Sequence, residues 1–161
     1  MDFKPNLYLL RGEDIAARSQ TFSHPWNAKS EVTGYQMAKA TGLRRTGVNF
    51  ARVAPGKESF VYHSHWHEEE WIYILEGRAM AKVDEVEFEV KAGDFLAFPP
   101  GIAHHLRNSF DEDVVYLMGG EHKDIEIADY PELGKRVIRH PKGAEVHDLD
   151  NAAPFGPLAG S

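Results

Sequence analysis

The central part of the chain is a series of short apolar runs broken by Gly, Pro and Asp. Runs rich in Val, Ile, Phe, Tyr and Trp recur roughly every 8–12 residues, the rhythm of an all-β barrel or sandwich. The pattern predicts strands at Gly47–Ala54, Phe60–His65, Glu70–Glu76, Arg78–Val83, Val86–Val90, Phe95–Phe98, His104–Asn108 and Val114–Gly119. Such a set suits a barrel of two antiparallel sheets. Val86, Phe88 and Val90 alternate with Glu87 and Glu89, so that strand is expected to bury one face and wet the other. Trp71–Leu75 is different, because it is apolar at both parities and must be covered on both sides. One side is the barrel interior; the expected cover for the other is a second copy of the chain, in a homodimer. Leaving that stripe in water would forgo about 1.5–3 kcal/mol for each large side chain.

The ends are less regular. Glu13–Arg18 is compatible with a helical turn, and Val137–Arg139 and Glu145–His147 with short strands. The tail Asn151–Ser161 is rich in Ala, Pro and Gly, a composition that reads as disordered.

A length of 161 residues fits one domain of ordinary size. The formal net charge of −7, with basic residues dense only at Arg44-Arg45 and Lys135-Arg136, is the wrong sign for a nucleic-acid partner. No apolar run approaches the roughly 20 residues of a membrane span, and the N-terminus lacks the basic start and apolar core of a signal peptide. Zero cysteines exclude disulfides and thiolate chemistry and suit a reducing compartment. A cytoplasmic protein is the expectation. The outlying number is nine histidines.

Five of the nine, His63, His65, His67, His104 and His105, fall in the β region. Residues two apart on a strand share a face with Cα atoms about 6.7 Å apart, so the rings of His63 and His65 can converge on one ion. If Ile72 and Ile74 face the interior, Glu70 shares their parity and Glu69 does not; Glu70 is then a third ligand. A fourth can come from the strand after Pro99-Pro100-Gly101, where His104 and His105 lie at opposite parities. His67 shares the ligand parity but sits where the chain turns. Glu68 and Glu69 are expected to be solvated, His105 to point away, and Trp66, Phe95 and Phe98 to belong to aromatic core more than to a pocket.

Two spaced motifs run through these residues. Gly56, His63, His65, Glu70 and Gly77 follow a G-x5-H-x-H-x3–4-E-x6-G pattern with one extra residue before His63, and Gly93, Pro99, Gly101, His104 and Asn108 follow G-x5-P-x-G-x2-H-x3-N in full. The second set would arise by chance in roughly one such chain in ten thousand. The chain thereby resembles the cupin superfamily, in its compact single-domain bacterial form, over about residues 46–119. The resemblance implies a double-stranded β-helix (jelly-roll) barrel core at 46–119, packed by an N-terminal extension (1–45) and a C-terminal extension (120–161). It also implies one divalent metal held by His63, His65, Glu70 and His104.

Three neutral imidazoles and one carboxylate leave a divalent ion a net charge of about +1 and suit Mn, Fe, Ni, Co or Zn without selecting among them. Open positions on such an ion can chelate a diol, hydroxy-ketone or carboxylate, or take one substrate atom and dioxygen. The expected function is therefore a metalloenzyme acting on a small oxygen-rich metabolite, isomerase-like toward sugar phosphates or dioxygenase-like. A non-catalytic sugar- or carboxylate-binding module is the alternative. Candidate catalytic groups are Tyr62, His67 and Glu76; candidate pocket residues are Arg52, Lys57, Arg78 and Trp66.

Overall fold

A computed structural model describes residues 8–153 and Gly156; most of the expected tail lies outside the described residues. The chain is mostly β. A short helix α1 (Gly12–Arg18) and strands β1 (Gln20–Phe22) and β2 (Val32–Gln36) lead through α2 (Met37–Ala40) to β3 (Thr46–Val53). Then follow β4 (Ser64–His65), β5 (Glu70–Glu76), β6 (Arg78–Val83), β7 (Val86–Lys91), β8 (Phe95–Phe98), β9 (His104–Arg107) and β10 (Val114–Glu121). A C-terminal meander of β11 (Glu126–Tyr130), β12 (Lys135–His140) and β13 (Gly143–Asp148) follows.

The strands form an all-β jelly roll. One antiparallel sheet runs β1-β2-β3-β10-β5-β8. Opposite it lie β7-β6-β9 and β13-β12-β11-β4, joined by an antiparallel bridge between His63 and His104. Alternation places Ile72, Ile74, Val114, Tyr116, Leu96 and Phe98 inward from the first sheet and Ala79, Ala81, Val90 and Leu106 inward from the other, where they make one apolar core. The β5–β6 turn needs glycine: Gly77 has φ +72°, and a Cβ there would lie 2.1 Å from the Asp113 carbonyl oxygen.

Several expectations are corrected. The strand expected at Phe60–His65 is regular only over Ser64–His65; the preceding His63 pairs with His104 through an isolated bridge, and Val61 and Tyr62 are buried outside any strand. Of the apolar face of β7, Val90 is buried whereas Val86 and Phe88 are exposed. That strand is an edge, paired with β6 alone among the described strands. The outward face of β5 is also left partly open by the described residues, with Tyr73 39% and Leu75 38% exposed. Strands β1, β2 and β11 were not expected. β1 is exposed throughout, β2 buries only Val32 and a glycine, Gly34, and β11 begins on a buried charged residue, Glu126.

Candidate metal centre

Backbone pairing brings the histidines together. His63 and His104 face each other across the bridge, each amide donating to the other's carbonyl at 3.2 and 2.8 Å. His65 follows on the same side of the chain. The turn after Pro99-Pro100 is docked on it, since Gly101, at φ +89°, donates its N–H to the His65 carbonyl at 2.7 Å. Glu70 arrives from the opposite sheet as the first residue of β5, in register with Phe98 and Gly120. Gly120 makes room for it: a Cβ would lie 2.3 Å from the Glu69 carbonyl oxygen and 3.1 Å from Glu70 Cγ.

The four side chains converge on one oxygen. Glu70 Oε2 lies 2.9 Å from His104 Nε2, 3.2 Å from His65 Nε2 and 3.7 Å from His63 Nε2. Donors sharing one ion at bonds of about 2.1 Å stand about 3.0–3.4 Å apart; the donor atoms of His63, Glu70 and His104 lie within 4.8 Å of one another, and His65 Nε2 stands 3.2 Å from the same Glu70 oxygen, so small shifts would let them share an ion. Two rings are already oriented for ligation through Nε2. His63 Nδ1 sits 2.7 Å from the Val61 carbonyl and His104 Nδ1 3.2 Å from that of Ile102; each carbonyl can take the Nδ1–H, so that an ion replacing the proton between His104 Nε2 and Glu70 would meet an Nε2 lone pair. Phe98 stacks flat on His104 at 3.8 Å and fixes its plane. His65 is different, because both of its ring nitrogens are buried without a hydrogen-bond partner. A buried donor–acceptor ring left unpaired is costly, and an ion bound at Nε2 removes half of that cost.

Electrostatics agree. Burial alone would raise the Glu70 pKa, but the contacts with His104, His63 and His65 outweigh it and hold the carboxyl well below its usual range. Glu70 is thus ionised and available as an anionic ligand. Burial tends to lower the His65 pKa, but Glu70, then Glu126 and Glu68, more than offset this and raise it.

The other candidates are placed elsewhere or differently. Tyr62 turns away, its hydroxyl donating to the Asp84 carbonyl at 2.8 Å beneath Lys82. Glu76 ends β5, and Arg52 and Arg78 lie at that same far end: Arg52 pairs with Asp113, and Arg78 with Glu112, Glu89 and the Phe110 ring. Lys57 pairs with Glu31 at 2.8 Å. Trp66 is half-exposed, its indole N–H on Asp129 and its ring under Arg136. His67 lies at the edge of the cluster, with Nδ1 3.4 Å from Glu126 Oε2. His105 faces Glu58 at 3.6 Å and not the cluster. Glu68 was expected in solvent and is 5% exposed, paired with Arg139.

Residues outside the two motifs complete the surroundings. Tyr130, at the end of β11, stacks on His63 with centroids 5.8 Å apart, and Trp26 and His24 pack against Tyr130. Burial, and then the charge of Glu70, raise the Tyr130 pKa, so the phenol keeps its proton. No spacing signal marks Tyr130 or Glu126, because the meander that delivers them meets the motif region through tertiary contacts distant in sequence, among them the pairing of β11 with β4.

The cupin-domain family profile matches residues 49–120, a span containing all four converging side chains. This span is a cupin domain. The cupin domain and its flanks superpose, with a TM-score of 0.90 and 28% identity over 95% of this chain and 99% of the other, on a provisionally named sugar phosphate isomerase from Acidithiobacillus ferrooxidans. A sugar phosphate isomerase of the cupin superfamily from Silicibacter pomeroyi matches at 26% identity and TM-score 0.74, over 86% of this chain and 90% of that one. An oxalate decarboxylase of Arthroderma benhamiae is 43% identical over 74 residues, 41% of this chain and 17% of that protein. The chain spans less than half the length of the first curated relatives it matches. No helix among the described residues is long and apolar enough to cross a membrane.

Proposed function

We propose that the cupin domain holds one divalent metal through His63, His65, Glu70 and His104 and is a metalloenzyme acting on a small oxygen-rich metabolite. The convergence of three Nε2 atoms on Glu70 Oε2 within 3.7 Å carries this reading. Such an ion supplies Lewis acidity to a carbonyl or hydroxyl oxygen that binds it. The chain's own residues set the conditions. Val61 and Ile102 carbonyls orient two of the rings, and Tyr130, kept as a phenol beside His63, offers a proton or hydrogen bond to a bound oxygen. Sugar-phosphate isomerisation is the first class to test, since likeness to the Acidithiobacillus protein extends over nearly the whole of both chains.

The test is metal analysis of the purified protein followed by a screen of sugar phosphates, sugars, keto acids and phenols with the metal found. Turnover that survives His104→Ala, or metal-replete protein inert toward the whole set, would contradict the enzyme reading. A binding module is the second reading, favoured by the displacement of Tyr62 and Glu76 from the cluster. It predicts thermal stabilisation by a metabolite that is recovered unchanged.

We also propose a homodimer that covers the outward face of β5 and β8, where Tyr73 pairs with Phe95 and Leu75 lies beside them, all exposed. The edge position of β8 leaves its outer backbone free for a second sheet. Sedimentation should give twice the chain mass, and Leu75→Glu should give a folded monomer; a wild-type monomer at micromolar concentration refutes the dimer.

A further inference from the structure

Two more carboxylates are buried beside one of these rings, His65. Glu126, the first residue of β11, is 2% exposed and lies beyond the matched family region. Its Oε1 accepts the backbone N–H groups of Trp66 at 2.8 Å and His67 at 3.1 Å and stands 3.6 Å from His65 Nδ1. Its Oε2 is buried with no hydrogen bond. Glu68 approaches His65 Nδ1 less closely, at 3.9 Å, and is engaged by Arg139 and by the Lys123 backbone N–H. No Lys or Arg among the described residues forms an ion pair with Glu126. A buried carboxylate without a cation needs several donors to offset its desolvation, and only two are in place.

The three histidines differ on their non-ligating side. His63 and His104 each place Nδ1 on a carbonyl two residues earlier in the chain. For His65 no carbonyl takes that role; its Nδ1 is buried, unpaired and directed at a carboxylate. The unpaired Oε2 of Glu126 lies 3.4 Å from His67 Nδ1, and its Oε1 stands 3.6 Å from the unpaired His65 Nδ1, so the same carboxylate is the acceptor placed nearest to the unpaired side of His65.

We propose that Glu126 is a positioning residue for the ligand His65. Its carboxylate accepts the Nδ1–H of His65, selects the tautomer with the lone pair on Nε2, and makes that nitrogen a stronger donor to the metal shared with His63, Glu70 and His104. The inference rests on the metal reading above. It also argues against a second cation between His65, Glu68 and Glu126, whose donor atoms lie within 4.8 Å of one another. A neutral ring that ligates through Nε2 keeps its proton on Nδ1 and has no second lone pair to give.

The probe is Zn2+ alone, with three readouts: competition against a chelator, stoichiometry, and nitrogen–proton correlation spectra of the histidine rings. Wild type should take up one equivalent, and His65→Ala should weaken uptake at least a hundredfold; absence of uptake by wild type would sink the metal reading itself. Given uptake, Glu126→Gln should weaken Zn2+ by about 10–100-fold. Its side-chain oxygen can still accept the two backbone N–H bonds, so the melting temperature of the metal-free protein should be nearly unchanged. Glu68→Gln should weaken Zn2+ less. In wild-type spectra the His65 Nδ1–H should be far downfield and slow to exchange, a test that needs no variant. The proposal is overturned by Zn2+ affinity within twofold of wild type in Glu126→Gln, by a His65 ring protonated on Nε2 in the zinc-bound protein, or by two equivalents of Zn2+ of which the variant loses one.

Discussion

The proton economy of the cluster is decided residue by residue. In the metal-free protein Glu70 is held ionised, and His65, although buried, has its pKa raised by its carboxylate neighbours. A raised folded pKa means that the bound proton stabilises the metal-free fold below the unfolded value of about 6.5, and that this contribution is lost as pH rises through the folded value. Metal binding needs the ring neutral. Binding therefore expels the proton wherever His65 carries one, and affinity should fall by up to about tenfold for each pH unit below the folded pKa. Calorimetric titration with Zn2+ at about pH 6, below the ordinary imidazole value of about 6.5, in two buffers of different ionisation heat measures the release; identical heats in both buffers would contradict it. Removing the anion by Glu70→Gln should abolish most uptake, since neutral donors alone then face a doubly charged ion.

At the scale of elements, the site depends on how closely β10 approaches the start of β5. Gly120→Ala would place a methyl group 2.3 Å from the Glu69 carbonyl oxygen and 3.1 Å from Glu70 Cγ, against backbone that cannot swing aside. Overpacking of this kind costs about 1–3 kcal/mol, and here it also displaces a ligand. The variant should melt earlier and bind metal more weakly, whereas a substitution at Gly12, which has open space around it, should do neither. The same dependence on tertiary pairing explains what could be read from the chain. Strands β5, β6 and β8 were legible to the residue, because Ile72, Ile74, Ala79, Ala81, Leu96 and Phe98 alternate against polar or outward positions and the turns between them carry Gly or Pro. The converging residues were legible because the motif spacing is local. The β11 strand was not, since Glu126 is a charged residue at a fully buried position and its partners lie about sixty residues earlier. The exposure of Val86 and Phe88 was equally hidden: alternation marks which residues share a face, but only the opposite sheet decides whether that face is covered.

For the whole molecule, the decisive feature is that the four converging side chains come from both layers. Glu70 belongs to the sheet containing β10 and β8, whereas His65 belongs to the opposite layer and His63 and His104 form the bridge between its two halves. A metal at their centre would tie three separate segments of backbone and both faces of the jelly roll at one point. Without it, the contacts at this point are those of Glu70 with three rings, one of which has both nitrogens unpaired. An ion that binds only the folded chain adds about 4 kcal/mol when its free concentration is a thousand times its dissociation constant. For a chain of this length that corresponds to a rise of about 8–16 °C in melting temperature. Chelation should therefore lower the melting temperature by that order, and addition of Zn2+ or Mn2+ should restore it. His104→Ala, which cannot complete the tie, should melt at the same temperature with and without chelator. A wild-type transition insensitive to chelator, with metal shown by analysis to be present beforehand and absent afterwards, would mean that the ion does not couple the two layers.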